Sequence, residues 1–266
     1  MSEPLLSVRN MTKRFGGLTA VDNVSFDVAR GEVVGLLGDN GAGKSTLIKC
    51  ISGVHRADEG DIVFEGASVQ FSHPIDARRH GVETIYQDLA LANNLDVGAN
   101  IFLGREVKRR YFGGLIKTLD EQHMLKESRR TLDSLQISFP TLTQPIESLS
   151  GGQRQAVAIA RAVYWDAKLM IMDEPTNNLG VIEQRKVIDL IRTLRGRGVP
   201  VILITHILPD VFAATDRVIV MHGGRKVAEK MTAETNTEEL VQYMVGARDD
   251  AGGDGEGVKR EVSLPH

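Results

Sequence analysis

The stretch Val33–Ile51, VVGLLGDNGAGKSTLIKCI, constrains the fold of this chain more than any other. An apolar run (Val33, Val34, Leu36, Leu37) with the length of a buried strand leads into Gly38, Gly41 and Gly43, and a helix-forming segment follows Lys44, Ser45 and Thr46. A strand, a glycine-rich turn and a helix in that order aim free backbone N–H groups and the positive end of a helix dipole at one point. The spacing from Gly38 across four residues to Gly43-Lys44-Ser45 is that of a phosphate-binding loop. In such a loop the lysine reaches the β- and γ-phosphates and the serine hydroxyl is offered to Mg²⁺. The expected nucleotide contacts are therefore Gly38, Asn40, Gly41, Gly43, Lys44, Ser45 and Thr46. An ordinary glycine turn is the alternative reading, and it leaves Lys-Ser in register without a reason.

Composition supports a globular chain. Its 266 residues can bury roughly three-quarters of the unfolded surface. Hydrophobic residues at 42%, charged residues at 25% and a net charge of −3 show no basic excess, so nucleic acid is not expected as a partner. The single cysteine, Cys50, excludes an intrachain disulfide and reads as a small buried residue in a reducing compartment. The first ten residues carry no export-signal pattern, and no apolar run approaches the ~20 residues of a spanning helix. Work at a membrane would require another chain to hold this one there.

Taken in order, Leu5–Val8 and Val24–Val28 read as antiparallel strands preceding the phosphate-loop strand. Phe15, beside Gly16-Gly17, is either a half-buried loop anchor or a platform on which an adenine ring stacks. Asp61–Glu65 and Ser68–Gln70 read as strand and turn, residues 74–80 as a helix, and Val82–Tyr86 as a strand ending at Gln87. From Asp88 to Ser148 the pattern becomes helical, with a basic patch at 105–110 that reads first as a solvated face. A capping box, Thr118-x-x-Glu121, is expected to open a helix with Met124, Leu125, Leu132 and Leu135 on one face.

Leu149-Ser150-Gly151-Gly152-Gln153 then starts an alanine-rich helix, and its serine and glycines would leave N–H groups facing outward. Beside a phosphate loop, this is a second anion site. Leu169–Met172 is a buried strand ending in Asp173-Glu174, and two carboxylates there require a positive counter-charge. Mg²⁺ suits Asp173, which leaves Glu174 to orient or deprotonate a water near the γ-phosphate. A helix is expected from about 182 to 194, a parallel strand at 200–204, and a hairpin around Gly223-Gly224. His206 at the end of the parallel strand is either structural or a γ-phosphate contact, and its place at a sheet's carboxyl edge favours the second. From Asp249 onward the Asp/Gly-rich composition predicts disorder.

The phosphate loop, Gln87, Leu149–Gln153, Asp173-Glu174 and His206, in that order, resemble the nucleotide-binding subunit of an ATP-binding cassette (ABC) transporter across nearly all of residues 5–246. The resemblance implies a P-loop NTPase core with a mainly parallel sheet, an N-terminal antiparallel β subdomain and an inserted α-helical subdomain. It implies one cassette over 1–248, with the core at 1–87 and 149–248, the helical subdomain at 88–148, and a tail from 249. It also implies ATP hydrolysis with Mg²⁺, adenine stacking on Phe15, Gln87 sensing Mg²⁺, Asp173 holding Mg²⁺, Glu174 as base and His206 as switch histidine. Ser150, Gly151, Gly152 and Gln153 would complete the site of a second copy in a head-to-tail homodimer.

The wording at Ile51–Val54, Glu83–Leu89 and Asn100–Glu106 is similar to ATPases of bacterial ribose, xylose and fructose importers, in particular single-cassette members. That similarity implies a peripheral place on the cytoplasmic face of the inner membrane, on a permease fed by an extracytoplasmic sugar-binding protein. The alternatives are importers of another small solute or a soluble ABC ATPase not coupled to transport. One residue departs from the family pattern: Leu179 is followed by Gly180, where the family usually carries an aspartate that links the two composite sites.

Overall fold

The computed structural model describes residues 3–111 and 116–250. In chain order its elements are β1 (Leu6–Phe15), β2 (Leu18–Val28), β3 (Val33–Gly38), α1 (Lys44–Ile51), β4 (Glu59–Phe64), β5 (Ala67–Val69), α2 (Pro74–Arg79) and β6 (Val82–Ile85). Then come α3 (Val97–Ile101), β7 (Lys108–Tyr111), β8 (Ile116–Leu119), α4 (Glu121–Ser134), a 3₁₀ turn (Ile146–Ser148), α5 (Gly151–Tyr164) and β9 (Leu169–Asp173). The chain continues through α6 (Val181–Gly196), β10 (Val201–Ile204), α7 (Leu208–Ala214), β11 (Arg217–His222), β12 (Arg225–Met231) and α8 (Thr237–Met244).

Two sheets carry the architecture. The first, in the order β2-β1-β4-β5, is antiparallel throughout, as the N-terminal alternation predicted. The second runs β12-β11-β3-β10-β9-β6 and is parallel except for the β11–β12 hairpin. Strands buried on both faces read as continuous apolar runs, which is why β3, β9 and β10 are Val/Ile/Leu/Met-rich.

The two-residue period of a strand sorts these side chains onto opposite faces. Val33, Met170, Met172, Val201 and Leu203 pack with α4, α5 and α6. Val34, Leu36, Ile171, Ile202 and Ile204 pack on the other face, with α1 and the antiparallel sheet. Each such fully buried side chain contributes roughly 1.5–3 kcal/mol. The helices thus pin the carboxyl ends of β3, β9 and β10 side by side, where the phosphate loop, Asp173 and Thr205-His206 emerge.

The insertion at 88–148 departs from the expected all-helical pattern. β7 and β8 form an antiparallel hairpin, registered Lys108↔Leu119 to Tyr111↔Ile116, so Lys108, Arg109 and Arg110 of the basic patch are strand. Four of its eight residues are Lys or Arg and two, Ile116 and Thr118, are β-branched, so no apolar alternation announced it. Thr118 lies in β8 and does not cap the next helix: Asp120 does, accepting from the His123 N–H at 3.2 Å. Met124, Leu132 and Leu135 are buried, as the helical spacing predicted, and Leu125 packs at the edge of the same cluster.

The described chain ends in an ordered return. The Asp250 N–H donates to the Val227 carbonyl (2.9 Å), and the Asp250 carboxylate accepts from Tyr243 (2.5 Å) and pairs with Lys230 (2.6 Å). The acidic tail expected from Asp249 lies, past Asp250, outside the described residues.

Candidate nucleotide site

The phosphate loop takes its shape from its glycines. Gly38 (φ +148°) and Gly43 (φ +98°) are positions where a Cβ would strike backbone carbonyls, those of Met221 and Ala20. Only glycine fits at both. Lys44 folds back over the loop, its Nζ donating to the carbonyls of Gly38 (2.8 Å) and Asp39 (3.1 Å). Burial holds the Lys44 ammonium below its usual pKa, opposed by the charges of Glu174, Asp173 and Asp39. A cleft of about 490 Å³ is lined by the loop from Asn40 to Thr46, by Phe15, and by Asp173 and Glu174. Phe15 is 44% exposed at its rim, with the His55 ring edge-on at 5.2 Å and the Lys13 ammonium 5.4 Å from the ring centroid. An exposed ring at the mouth of this cleft presents a face for a base, which favours the platform reading over the loop anchor.

Asp173 closes β9. Burial and then the neighbouring Glu174 raise its carboxyl above the usual range, while Lys44 and Lys49 oppose the shift. A desolvated carboxylate opposite a serine hydroxyl at a phosphate site fits a hard cation with oxygen ligands. Among the described residues no cluster of three or more His, Cys, Asp or Glu could hold a metal unaided, so most ligands would come from phosphate and water, as Mg²⁺ prefers. Glu174 adopts a left-handed backbone (φ +50°), and its N–H continues the ladder to the Ile204 carbonyl (2.9 Å). Its carboxylate is held at both ends, by His206 Nδ1 at Oε1 (3.0 Å) and by Asn177 Nδ2 donating to Oε2 (2.9 Å). His206 thus meets Glu174 directly.

Gln87 is exposed just past β6 and lines a depression of about 380 Å³ with Glu174, Asn177 and Gly151. The segment behind it is clamped from α5, where the Arg161 guanidinium donates to the carbonyls of Leu89 and Ala90, both at 2.9 Å. Ser150 and Gln153 form the reciprocal cap of α5: Ser150 Oγ accepts the Gln153 N–H (3.4 Å), and Gln153 Oε1 accepts the Ser150 N–H (3.0 Å). Ser150, Gly152 and Gln153 line a groove separate from the phosphate-loop cleft, and only Gly151 borders the Gln87–Glu174 depression. One chain therefore brings Phe15, the phosphate loop, Asp173 and Glu174 into one cleft and leaves Ser150, Gly152 and Gln153 outside it.

Sequence reasoning missed Asn177, Arg161 and Asn100. Asn100 is fully buried, accepts from the Ala92 N–H and donates to the carbonyls of Ala92, Leu95 and Asp96, fixing the loop that follows Gln87. A polar side chain on a short apolar helix was its only signal.

The family model for ABC transporters matches residues 21–177, more than half of the chain. A xylose/arabinose import ATP-binding protein of Sulfolobus acidocaldarius is 51% identical over 240 residues, covering 90% of this chain and 93% of that protein. A fructose import ATP-binding protein of Rhizobium meliloti is 43% identical, covering 93% of this chain and 96% of that protein. A galactofuranose transporter ATP-binding protein of Escherichia coli is 40% identical, and there this chain matches 47% of the longer protein. Among solved structures, a nucleotide-free ATP-binding cassette from an ABC transporter superimposes with a TM-score of 0.75 at 26% identity, covering 91% of this chain and 96% of that one. The ADP conformation of a second cassette, MJ1267, gives 0.75 at 27% identity, with coverages of 92% and 96%. A match of the family model over most of the cassette, joined to relatives aligned nearly end to end, means that this chain belongs to the ATP-binding family of ABC transporters.

Proposed function

We propose that this chain hydrolyses ATP to drive import of a monosaccharide through membrane permease subunits, with residues 1–248 acting as one cassette and 88–148 as its docking insertion. The observation that carries the reading is the one cleft lined by Lys44, Asp173 and Glu174, with His206 bonded to Glu174. The sugar comes from the relatives named for xylose/arabinose and fructose import. No helix among the described residues is long and apolar enough to cross a membrane, so attachment at the cytoplasmic face is assigned to the permease.

In the reaction, Lys44 exchanges its loop carbonyls for the β- and γ-phosphates, whose charge meets the backbone N–H groups at the start of α1. Ser45, Gln87 and Asp173 would hold Mg²⁺, which when bound neutralises charge on the phosphates. Phe15 stacks the adenine. A water attacks the γ-phosphorus in line, the bond to the β–γ bridging oxygen breaks, and Glu174 receives the water's proton, leaving ADP and phosphate. His206 steadies Glu174 and senses the γ-phosphate. Because Ser150, Gly152 and Gln153 lie outside this cleft, their cradle is assigned to the nucleotide of a second copy.

The test is co-purification and stimulated turnover. The chain should co-isolate with a permease, and its ATPase rate in that complex should rise on adding a binding protein loaded with xylose, arabinose or fructose. Association with ribosomes or DNA instead would overturn the transport reading, and stimulation only by a non-sugar solute would overturn the substrate class.

A further inference from the structure

The second donor on Glu174 comes from the loop between β9 and α6. That loop begins with two bonds between the same residues: the Asn177 backbone N–H donates to the Glu174 carbonyl (3.1 Å), and the Asn177 side-chain amide donates to Glu174 Oε2 (2.9 Å). The first closes a four-residue turn with Pro175 and Thr176 at its centre, where proline's fixed φ suits the first central position. The second spans the carboxylate opposite His206, so its two oxygens are tied to two loops, one following β9 and one following β10.

A glutamate side chain has three rotatable bonds and loses roughly 1.5–2 kcal/mol of rotamer entropy when fixed. Two donors in place before substrate arrives remove that cost from the chemical step. Each carboxylate oxygen has two lone pairs, so a single donor at each leaves one free to receive a proton. Asn177 lies at the wall of the depression that Glu174 shares with Gln87 and Gly151, and does not line the phosphate-loop cleft. Its influence on ATP therefore passes through Glu174.

We propose that Asn177 is a positioning residue for hydrolysis, holding Glu174 Oε2 so that the carboxylate faces the attacking water. This rests on the reading of Glu174 as the base. The same loop meets the second half-site: a Cβ on Gly151 would lie 2.5 Å from Leu179 Cδ2, which places the Leu179 side chain directly against the start of α5. A single residue, Asn178, separates the hold on Glu174 from the contact with the cradle.

The experiment is single-turnover ATP hydrolysis by the full chain, with ATP affinity and melting temperature measured in parallel, for the wild type, Glu174→Gln, Asn177→Ala and Asn177→Asp. Glu174→Gln should bind ATP and turn over at least ~100-fold more slowly. Asn177→Ala should slow the chemical step about tenfold with ATP affinity changed less than about twofold, the mark of an interaction acting on the transition state. Asn177→Asp keeps the shape and replaces the donor with a like charge, so it should be slower than Asn177→Ala. A purely structural side chain would give the reverse order. A fast Glu174→Gln removes the base reading and this proposal with it. A slow Glu174→Gln beside a normal Asn177→Ala, an Asn177→Asp as fast as wild type, or a loss carried wholly by ATP affinity overturns the role of Asn177 alone.

Discussion

Lys44 and Asp173 show how the site works residue by residue. Lys44→Ala removes the side chain bonded to the loop's own carbonyls and the charge meant for phosphate, so ATP affinity should fall at least ~10-fold, about 1.4 kcal/mol, in a titration with a fluorescent ATP analogue. Asp173 carries the opposite liability. Its folded-state pKa is raised by burial and by Glu174, so the folded protein binds its proton more tightly than the unfolded chain does. Stability from this group is therefore lost as pH rises from the unfolded value of about 3.9 through the raised folded value. Asp173→Asn should raise the melting temperature of the nucleotide-free protein at neutral pH, and the gain should vanish below about pH 4. The same variant should need more Mg²⁺ for half-maximal turnover. Lys44 and Asp173 were legible in the sequence because their chemistry is tied to local spacing: a lysine after glycines at a helix start, an acid at the end of an apolar strand. Asn177 was not, because its role depends on a side-chain bond that no spacing rule encodes.

Single elements show where local signals misled. Thr118-x-x-Glu121 satisfied the capping-box pattern, yet the β7–β8 pairing draws Thr118 into a strand and leaves Asp120 to cap α4. Tertiary pairing overrode a local signal of about 1 kcal/mol. α7 and α8, seven and eight residues long, went unread. By contrast β3, β9 and β10 were legible because burial on both faces leaves an unbroken apolar run. Two predictions belong to this scale. Asn100→Ala leaves the Ala92 N–H without its acceptor and takes the side-chain donor from the carbonyls of Ala92, Leu95 and Asp96, each of which keeps a backbone donor, so it should cost about 1–3 kcal/mol and lower the thermal midpoint by roughly 2 °C or more. Gly180 is the N-cap of α6 with an extended backbone (φ −67°, ψ 157°), no side-chain cap and open space at its Cβ. Gly180→Asp should therefore be accepted without strain and stabilise α6 by a few tenths of a kcal/mol. If the missing aspartate loosens the coupling of paired sites, the variant should also change the Hill coefficient of ATPase activity in ATP. An unchanged coefficient would separate the cap from the coupling.

For the whole molecule the decisive fact is that Ser150, Gly152 and Gln153 line a different groove from the phosphate loop. If a second copy supplies the cradle, Glu174→Gln with Mg²⁺-ATP should sediment as a dimer, and the same protein with ADP as a monomer. A monomer in both states would sink the composite site. The fold as a whole was readable from motif order, and so was the expectation that Ser150–Gln153 serve a second copy; what three dimensions add is that Ser150, Gly152 and Gln153 line a different groove from the phosphate loop of their own chain. The bonds from Lys44 to the carbonyls of Gly38 and Asp39 have a further consequence for a machine that must empty and refill in every cycle. The ammonium has acceptors within its own loop, so exchanging phosphate for these carbonyls is a swap of partners that spares the buried charge from ever standing unpaired.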